Sequence, residues 1–155
     1  MLAIAVITVS DRAYKKEYED LSGPAVRDIL LAGVPCDVSL TVVPDEKDAI
    51  KRALLLDAGK DYIITTGGTG LAARDVTPEA TREVCGREVP GVSEWLRRES
   101  MRETPNAALS RGFCGQMGTT IIVNLPGSVR GATFCAKLLV TVLEHGKEMI
   151  MGARH

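Results

Sequence analysis

Four short segments of the sequence carry residue types suited to chemistry on an anion. They are Ser10-Asp11-Arg12, Pro44-Asp45-Glu46, the run Thr65-Thr66-Gly67-Gly68-Thr69-Gly70 continuing to Arg74-Asp75, and Asn124-Leu125-Pro126-Gly127-Ser128. Each stands at the end of a short apolar or β-branched run, and in open α/β sheets ligands bind beyond the carboxyl ends of the strands. The glycine run is the sharpest of the four. Glycine accepts positive φ and lets backbone N–H groups approach an anion closely, and neighbouring threonine hydroxyls add neutral donors. That combination suits a phosphate or a pterin-like ring. A Walker A loop is excluded, because no glycine is followed by Lys-Ser or Lys-Thr in the required spacing. Gly68-x-Gly70-x-x-Ala73 fits the loose dinucleotide fingerprint, but that pattern belongs after a first strand with an acid about twenty residues further on, beyond a second strand. Here it follows a third strand, and Glu88 and Glu94 flank Pro90-Gly91. The plainer alternative, glycines that merely make a tight turn, stays open.

Taken singly, the aspartates read as helix furniture. Asp45 followed by Asp48 nearly forms a capping box, and Asp75 precedes Thr77-Pro78, where a carboxylate favours the coming helix dipole. Taken together at the ends of neighbouring strands, Asp45 and Asp75 become candidate ligands for Mg²⁺, which prefers one or two carboxylates plus substrate phosphate oxygens. Ser10, Asp11, Glu19 and Asp20 are weaker candidates in a polar first loop. Arg74 is a phosphate contact only if it is not an ordinary surface arginine. Cys114 and Met117 read as packing.

The elements that must position these residues alternate between short strands and longer helical stretches, which predicts an α/β fold with a largely parallel sheet. Strands are expected at Leu2–Val9, Val38–Val43, Tyr62–Thr65 and Thr119–Leu125. Ser22-Gly23-Pro24 opens a helix with Val26, Ile29 and Leu30 on one face, stopping at Gly33. Pro44-Asp45-Glu46 starts a second, carrying Ile50, Ala53, Leu54 and Leu56, and Thr77-Pro78 a third. A fourth is expected around Ser93–Glu103, before Pro105. A long closing helix is expected from about Gly131 to Met151, with Phe134, Leu138, Val142 and Leu143 on its buried face. No repeat, linker or composition break divides residues 1–155, so a single domain is expected.

The 155 residues carry 19 Lys+Arg against 20 Asp+Glu, a formal net charge of −1, which argues against a broad nucleic-acid binder. Only six aromatic residues leave little material for base stacking. No run approaches the ~18 apolar residues of a membrane span. The apolar N-terminus lacks a basic leader and a cleavage site, so the expected location is cytoplasmic. Cys36, Cys85, Cys114 and Cys135 form no C-x-x-C pair and are expected as reduced thiols. With only His145 and His155, a histidine zinc site or a Cys/His nucleophile lacks parts.

The stretch Thr65-Thr66-Gly67-Gly68-Thr69-Gly70-Leu71-Ala72-Ala73-Arg74-Asp75-Val76-Thr77-Pro78-Glu79-Ala80-Thr81 resembles the signature of the molybdenum cofactor biosynthesis family, which includes MogA and the gephyrin G domain. Val9-Ser10-Asp11, Asp20-Leu21-Ser22-Gly23, Val43-Pro44-Asp45-Glu46, Glu88-Val89-Pro90-Gly91, Leu109-Ser110-Arg111 and Asn124-Leu125-Pro126-Gly127-Ser128 resemble family blocks in the same order. The resemblance implies a three-layer αβα fold, a homotrimer and a molybdopterin adenylyltransferase that uses ATP, molybdopterin and Mg²⁺. It implies catalytic and metal roles for Asp45 and Asp75, and a pocket built from Gly67, Gly68, Thr69, Gly70, Ser110 and the turn Asn124, Pro126, Gly127 and Ser128; Ser10 joins as a substrate contact. It also implies that a separate protein inserts the molybdenum. The segment Ala13–Glu19 departs from the short Ser/Gly-rich form common in bacterial members. Two relatives share the fold and part of the signature. A MoaB-type molybdopterin carrier and a CinA-like nucleotide hydrolase therefore remain the alternatives.

Overall fold

A computed structural model describes residues 1–153, and it shows why the N-terminal run is apolar except for Thr8. That run is β1 (Leu2–Val9), flanked on one side by β2 (Cys36–Val43) and on the other by β3 (Tyr62–Thr66), both parallel to it. Successive side chains point to opposite faces, and both faces are covered. Leu2, Ile4 and Val6 enter one core cluster, while Ala5, Ile7 and Val9 enter a second. The sheet continues in parallel to β6 (Thr120–Leu125), then turns antiparallel through β5 (Cys114–Met117) and the two-residue β4 (Arg87–Glu88), giving the order β2-β1-β3-β6-β5-β4.

Helices cover both faces, so the three-layer αβα arrangement holds. On one face lie α2 (Ser22–Gly33), α5 (Pro90–Met101), α6 (Val129–Leu139) and α7 (Leu143–Ile150), packed through Val26, Leu30, Leu96, Ala132, Cys135, Ala136, Leu139 and Leu143. On the other lie α3 (Lys47–Leu56) and α4 (Thr77–Val84), packed through Ile50, Ala53, Leu54 and Ala80. A four-residue helix, α1 (Asp11–Tyr14), follows β1, and a 3₁₀ turn occupies Pro105–Leu109. Among the described residues no helix is long and apolar enough to cross a membrane.

The structure corrects several expected boundaries. The long closing helix is two helices, interrupted at Val140-Thr141-Val142. These β-branched residues propagate a helix poorly, and the Thr141 hydroxyl donates to the Leu138 carbonyl at 2.7 Å. The Tyr62 hydroxyl then donates to the Leu143 carbonyl at 2.6 Å and anchors the new segment to the sheet. The buried face is accordingly Ala132, Cys135, Ala136, Leu139 and Leu143, while Val142 is exposed. Helix α5 begins at Pro90, three residues early, because proline at a first helical position costs no hydrogen bond. Leu56, expected on the packed face of α3, is its exposed last residue. His155 lies outside the described residues.

Candidate active site

The register fixes where the four polar loops meet. Val9 pairs with Val43, Thr8 with Thr66, and Thr66 with Leu125, so β1, β2, β3 and β6 all end along one sheet edge. The glycine loop leaves β3 at that edge under tight steric limits. Gly67 has φ +102° and Gly68 φ +68°. A Cβ on Gly67 would run into the Val9 carbonyl, and one on Gly68 would meet the Thr77 hydroxyl and lie 3.2 Å from Asp45 Oδ1. Gly67 N–H donates to the Leu125 carbonyl at 3.1 Å, and the Thr66 hydroxyl donates to the Pro126 carbonyl at 2.7 Å. The glycine loop and the Pro126-Gly127 turn are thus seated on each other; a Cβ on Gly127 would lie 3.2 Å from Gly67 Cα.

Beside this edge opens a cavity of about 860 Å³, walled by the glycine loop, α5, the 3₁₀ turn and the start of α6. Of the predicted site residues, Gly68, Thr69, Gly70, Asp75, Ser110, Asn124, Pro126, Gly127 and Ser128 line it. Their side chains do different things there. Ser128 caps α6, accepting the Gly131 N–H at 3.1 Å. Ser110 Oγ accepts the Gly112 N–H at 3.3 Å. Asn124 is buried and fully engaged: its Oδ1 accepts the Phe113 N–H, and its Nδ2 donates to the hydroxyls of Thr65 and Thr81, both at 3.0 Å. It contributes wall rather than a free donor. Gly67 does not line the cavity; it supports the loop from behind.

Two predicted residues stand apart. Ser10 caps α1, accepting the Ala13 N–H at 3.2 Å, and bonds the Tyr18 hydroxyl at 2.8 Å, off the cavity. Asp45 lies in a separate shallow depression of about 400 Å³, with Lys47 and Arg74. Both aspartates lie against the glycine loop, at different glycines, and the Asp75 charge acts on Asp45. Asp45 Oδ1 faces Gly68, whereas Asp75 Oδ2 lies 2.9 Å from the position of a Cβ on Gly70.

Neither aspartate caps a helix. Helix α3 begins after Glu46 with no side-chain cap, and α4 begins after Val76 with none. Asp45 Oδ2 instead accepts the Asp11 N–H at 2.9 Å, and Asp11 Oδ1 accepts the Asp45 N–H at 3.0 Å, a reciprocal tie between the β1 and β2 loops. Asp75 accepts the Ala72 N–H at 3.0 Å. Desolvation raises the Asp45 carboxyl above its ordinary pKa, and the charges of Asp11 and Asp75 raise it further. Asp11 moves the other way, held low chiefly by its hydrogen bond from Arg74, whose Nε and Nη2 reach it at 2.6 and 2.9 Å. Thr77 Oγ1 is buried with no hydrogen-bond partner among the described residues. Asp20 is structural: it accepts from the Thr8 hydroxyl at 2.8 Å and the Gly23 N–H at 3.2 Å, pinning the start of α2. Among the described residues no group of three or more His, Cys, Asp or Glu gathers as a metal cage.

Arg97 and Arg111 are the side chains whose roles sequence reasoning missed, whereas Arg74, weighed there as a phosphate contact or a surface arginine, pairs with Asp11. Arg97 donates to the carbonyls of Ser110 and Gly112 at 2.8 and 2.7 Å, fixing the cavity wall. No local pattern announces such contacts, since an arginine that grips backbone carbonyls looks like any solvent-facing arginine in a linear sequence.

Residues 5–145 match the model of a family described as a probable molybdopterin binding domain. The chain is 38% identical to the molybdopterin adenylyltransferase of Helicobacter pylori strain J99, covering 96% of this chain and 88% of that protein. It is 40% identical to the molybdenum cofactor synthesis protein cinnamon of Drosophila melanogaster over 96% of this chain, and spans about a quarter (26%) of that longer relative. The crystal structure of the molybdopterin biosynthesis enzyme MoaB from Thermus thermophilus superposes with a TM-score of 0.90 at 46% identity, covering 98% of each chain.

Proposed function

The chain belongs to the probable molybdopterin binding domain family, and from that premise we propose that it is a molybdopterin adenylyltransferase acting in molybdenum cofactor biosynthesis. The observation that carries the reading is the wall of the large cavity, which the Gly68-Thr69-Gly70 loop, Asp75 and the Pro126–Ser128 turn share. A phosphate oxygen of molybdopterin attacks the α-phosphorus of ATP; one phosphorus–oxygen bond forms, the α–β bridge breaks, and pyrophosphate leaves. Such transfers require little covalent chemistry from the protein and depend on positioning and charge neutralisation. The glycine loop supplies backbone donors to phosphate, and the wall from α5 to α6 holds the larger substrate body. The similarity to the Helicobacter enzyme supports the same reading.

Asp45 and Asp75 fit a magnesium ion. Asp45 is a partly desolvated carboxylate whose proton affinity is raised by two neighbouring carboxylates, so a divalent cation offsets an existing excess of negative charge. Two carboxylates completed by substrate phosphate oxygens form the donor set Mg²⁺ prefers. When bound, the ion neutralises charge on the triphosphate. The same reading makes the chain a single-domain, cytoplasmic homotrimer that passes its product to a separate molybdenum-insertion protein. Light scattering should return three chain masses; a monomer overturns that element.

The deciding experiment incubates the purified chain with Mg²⁺, ATP and molybdopterin and measures adenylylated product and pyrophosphate. Asp75→Ala should abolish turnover while retaining pterin binding, and full turnover in that variant removes Asp75 from the mechanism. Pterin binding without product in the unaltered chain identifies a MoaB-type carrier instead. ATP cleavage without pterin identifies a nucleotide hydrolase.

A further inference from the structure

A single guanidinium grips the glycine loop from outside the cavity. Arg111 follows the 3₁₀ turn and precedes β5. Its backbone N–H donates to the Thr69 carbonyl at 2.9 Å, and its Nε donates to the Gly70 carbonyl at 2.9 Å. Its Nη2 donates to the Asp75 carbonyl at 2.6 Å. Nη1 and Nη2 also reach the Glu79 carboxylate on α4, at 2.7 and 3.2 Å. One residue thereby holds the segment at the glycines and again at Asp75. Across a trans peptide the carbonyl and the following N–H point in opposite directions. Fixing the Thr69 and Gly70 carbonyls on Arg111 therefore turns the N–H groups of Gly70 and Leu71 away from it, and both residues line the cavity. Ala72 N–H, one residue further, is already taken by the Asp75 carboxylate.

From this geometry we infer that Arg111 is a positioning residue, which sets the loop amides and the Asp75 carboxylate for the transfer without touching substrate. The inference rests on the adenylyltransferase reading. Lysine cannot replace the planar fork, because its single ammonium does not span Gly70, Asp75 and Glu79 together. Glu79 pairs with the guanidinium charge and fixes its plane; that contact in turn holds the Glu79 carboxyl below its ordinary range.

The test compares Arg111→Ala, Arg111→Lys and Glu79→Gln in the full chain. It uses steady-state adenylylation, hydrogen exchange of residues 67–76, and rescue by millimolar guanidinium ion. Arg111→Ala should lower kcat about ten- to hundred-fold with KM for ATP changed less than about threefold. Exchange across 67–76 should quicken while β1 and β3 stay protected, and guanidinium, but not ammonium, should restore part of the rate. Arg111→Lys and Glu79→Gln should show intermediate losses, and they decide on the same readouts if Arg111→Ala does not fold. Two results overturn the inference: wild-type kcat with unchanged exchange, or loss of protection spread over the whole sheet with no rescue. An unaltered chain that makes no adenylylated product overturns the adenylyltransferase reading instead, while the exchange arm still decides whether Arg111 holds the loop.

Discussion

Asp45 shows how the surroundings of a candidate ligand shift its energetics. Its carboxylate is partly desolvated and lies near the charges of Asp11 and Asp75, so its pKa is raised; ionised Asp45 thus opposes folding as pH rises from the ordinary carboxylate value through its own higher one. Asp45→Asn should raise the unfolding midpoint of the metal-free chain at neutral pH and remove the further rise that added Mg²⁺ gives the unaltered chain. A midpoint that falls, or an intact magnesium response, contradicts this account. Gly68 carries the opposite logic: it has left-handed backbone and no room for a Cβ against Thr77 and Asp45. Gly68→Ala should destabilise by roughly 1–3 kcal/mol by strain alone, readable as a lower denaturant midpoint with unchanged slope. Asp45, Asp75 and the glycines could be singled out as candidates because their residue types are distinctive near strand ends. The partners of Asp11 were not, because a 63-residue separation joins it to Arg74.

At the level of elements, periodicity located the parallel strands and the packed faces of α2 and α3, since burial imposes those patterns directly. It failed where tertiary contacts outvoted it. The apolar spacing from Gly131 to Met151 suits one helix, yet Val140 packs so closely on Gly33 of α2 that a Cβ there would lie 2.7 Å from Val140 Cγ1, and Tyr62 captures the Leu143 carbonyl. Tyr62→Phe should cost about 1 kcal/mol, and α7 should then exchange its amides faster than α6; equal exchange in both argues that Tyr62 does not hold the break. Strand β5 escaped notice because Cys-Gly-Gln-Met has no strand-like alternation. Its pairing with β6 across the Gly118-Thr119 turn creates it.

For the molecule as a unit, the carboxylates that brace the site have lowered pKa values: Asp11 through Arg74 and Glu79 through Arg111. Their stabilisation is present at neutral pH and disappears as pH falls from the ordinary carboxylate range through those lowered values. Acid titration should therefore loosen residues 67–76 before the sheet unfolds, visible as early exchange there; simultaneous loss everywhere contradicts it. The layer architecture, the shared sheet edge and the residue types that meet there were all readable in the linear chain, because alternation, glycine and proline act locally and need no partner to be read. Three-dimensional packing was needed to bring Asp45 and Asp75 against different glycines of one loop, to turn Asn124 inward and to set Arg111 as the brace of the loop. Those outcomes depend on which distant groups reach each hydrogen-bonding atom first, and chain packing alone sets those distances.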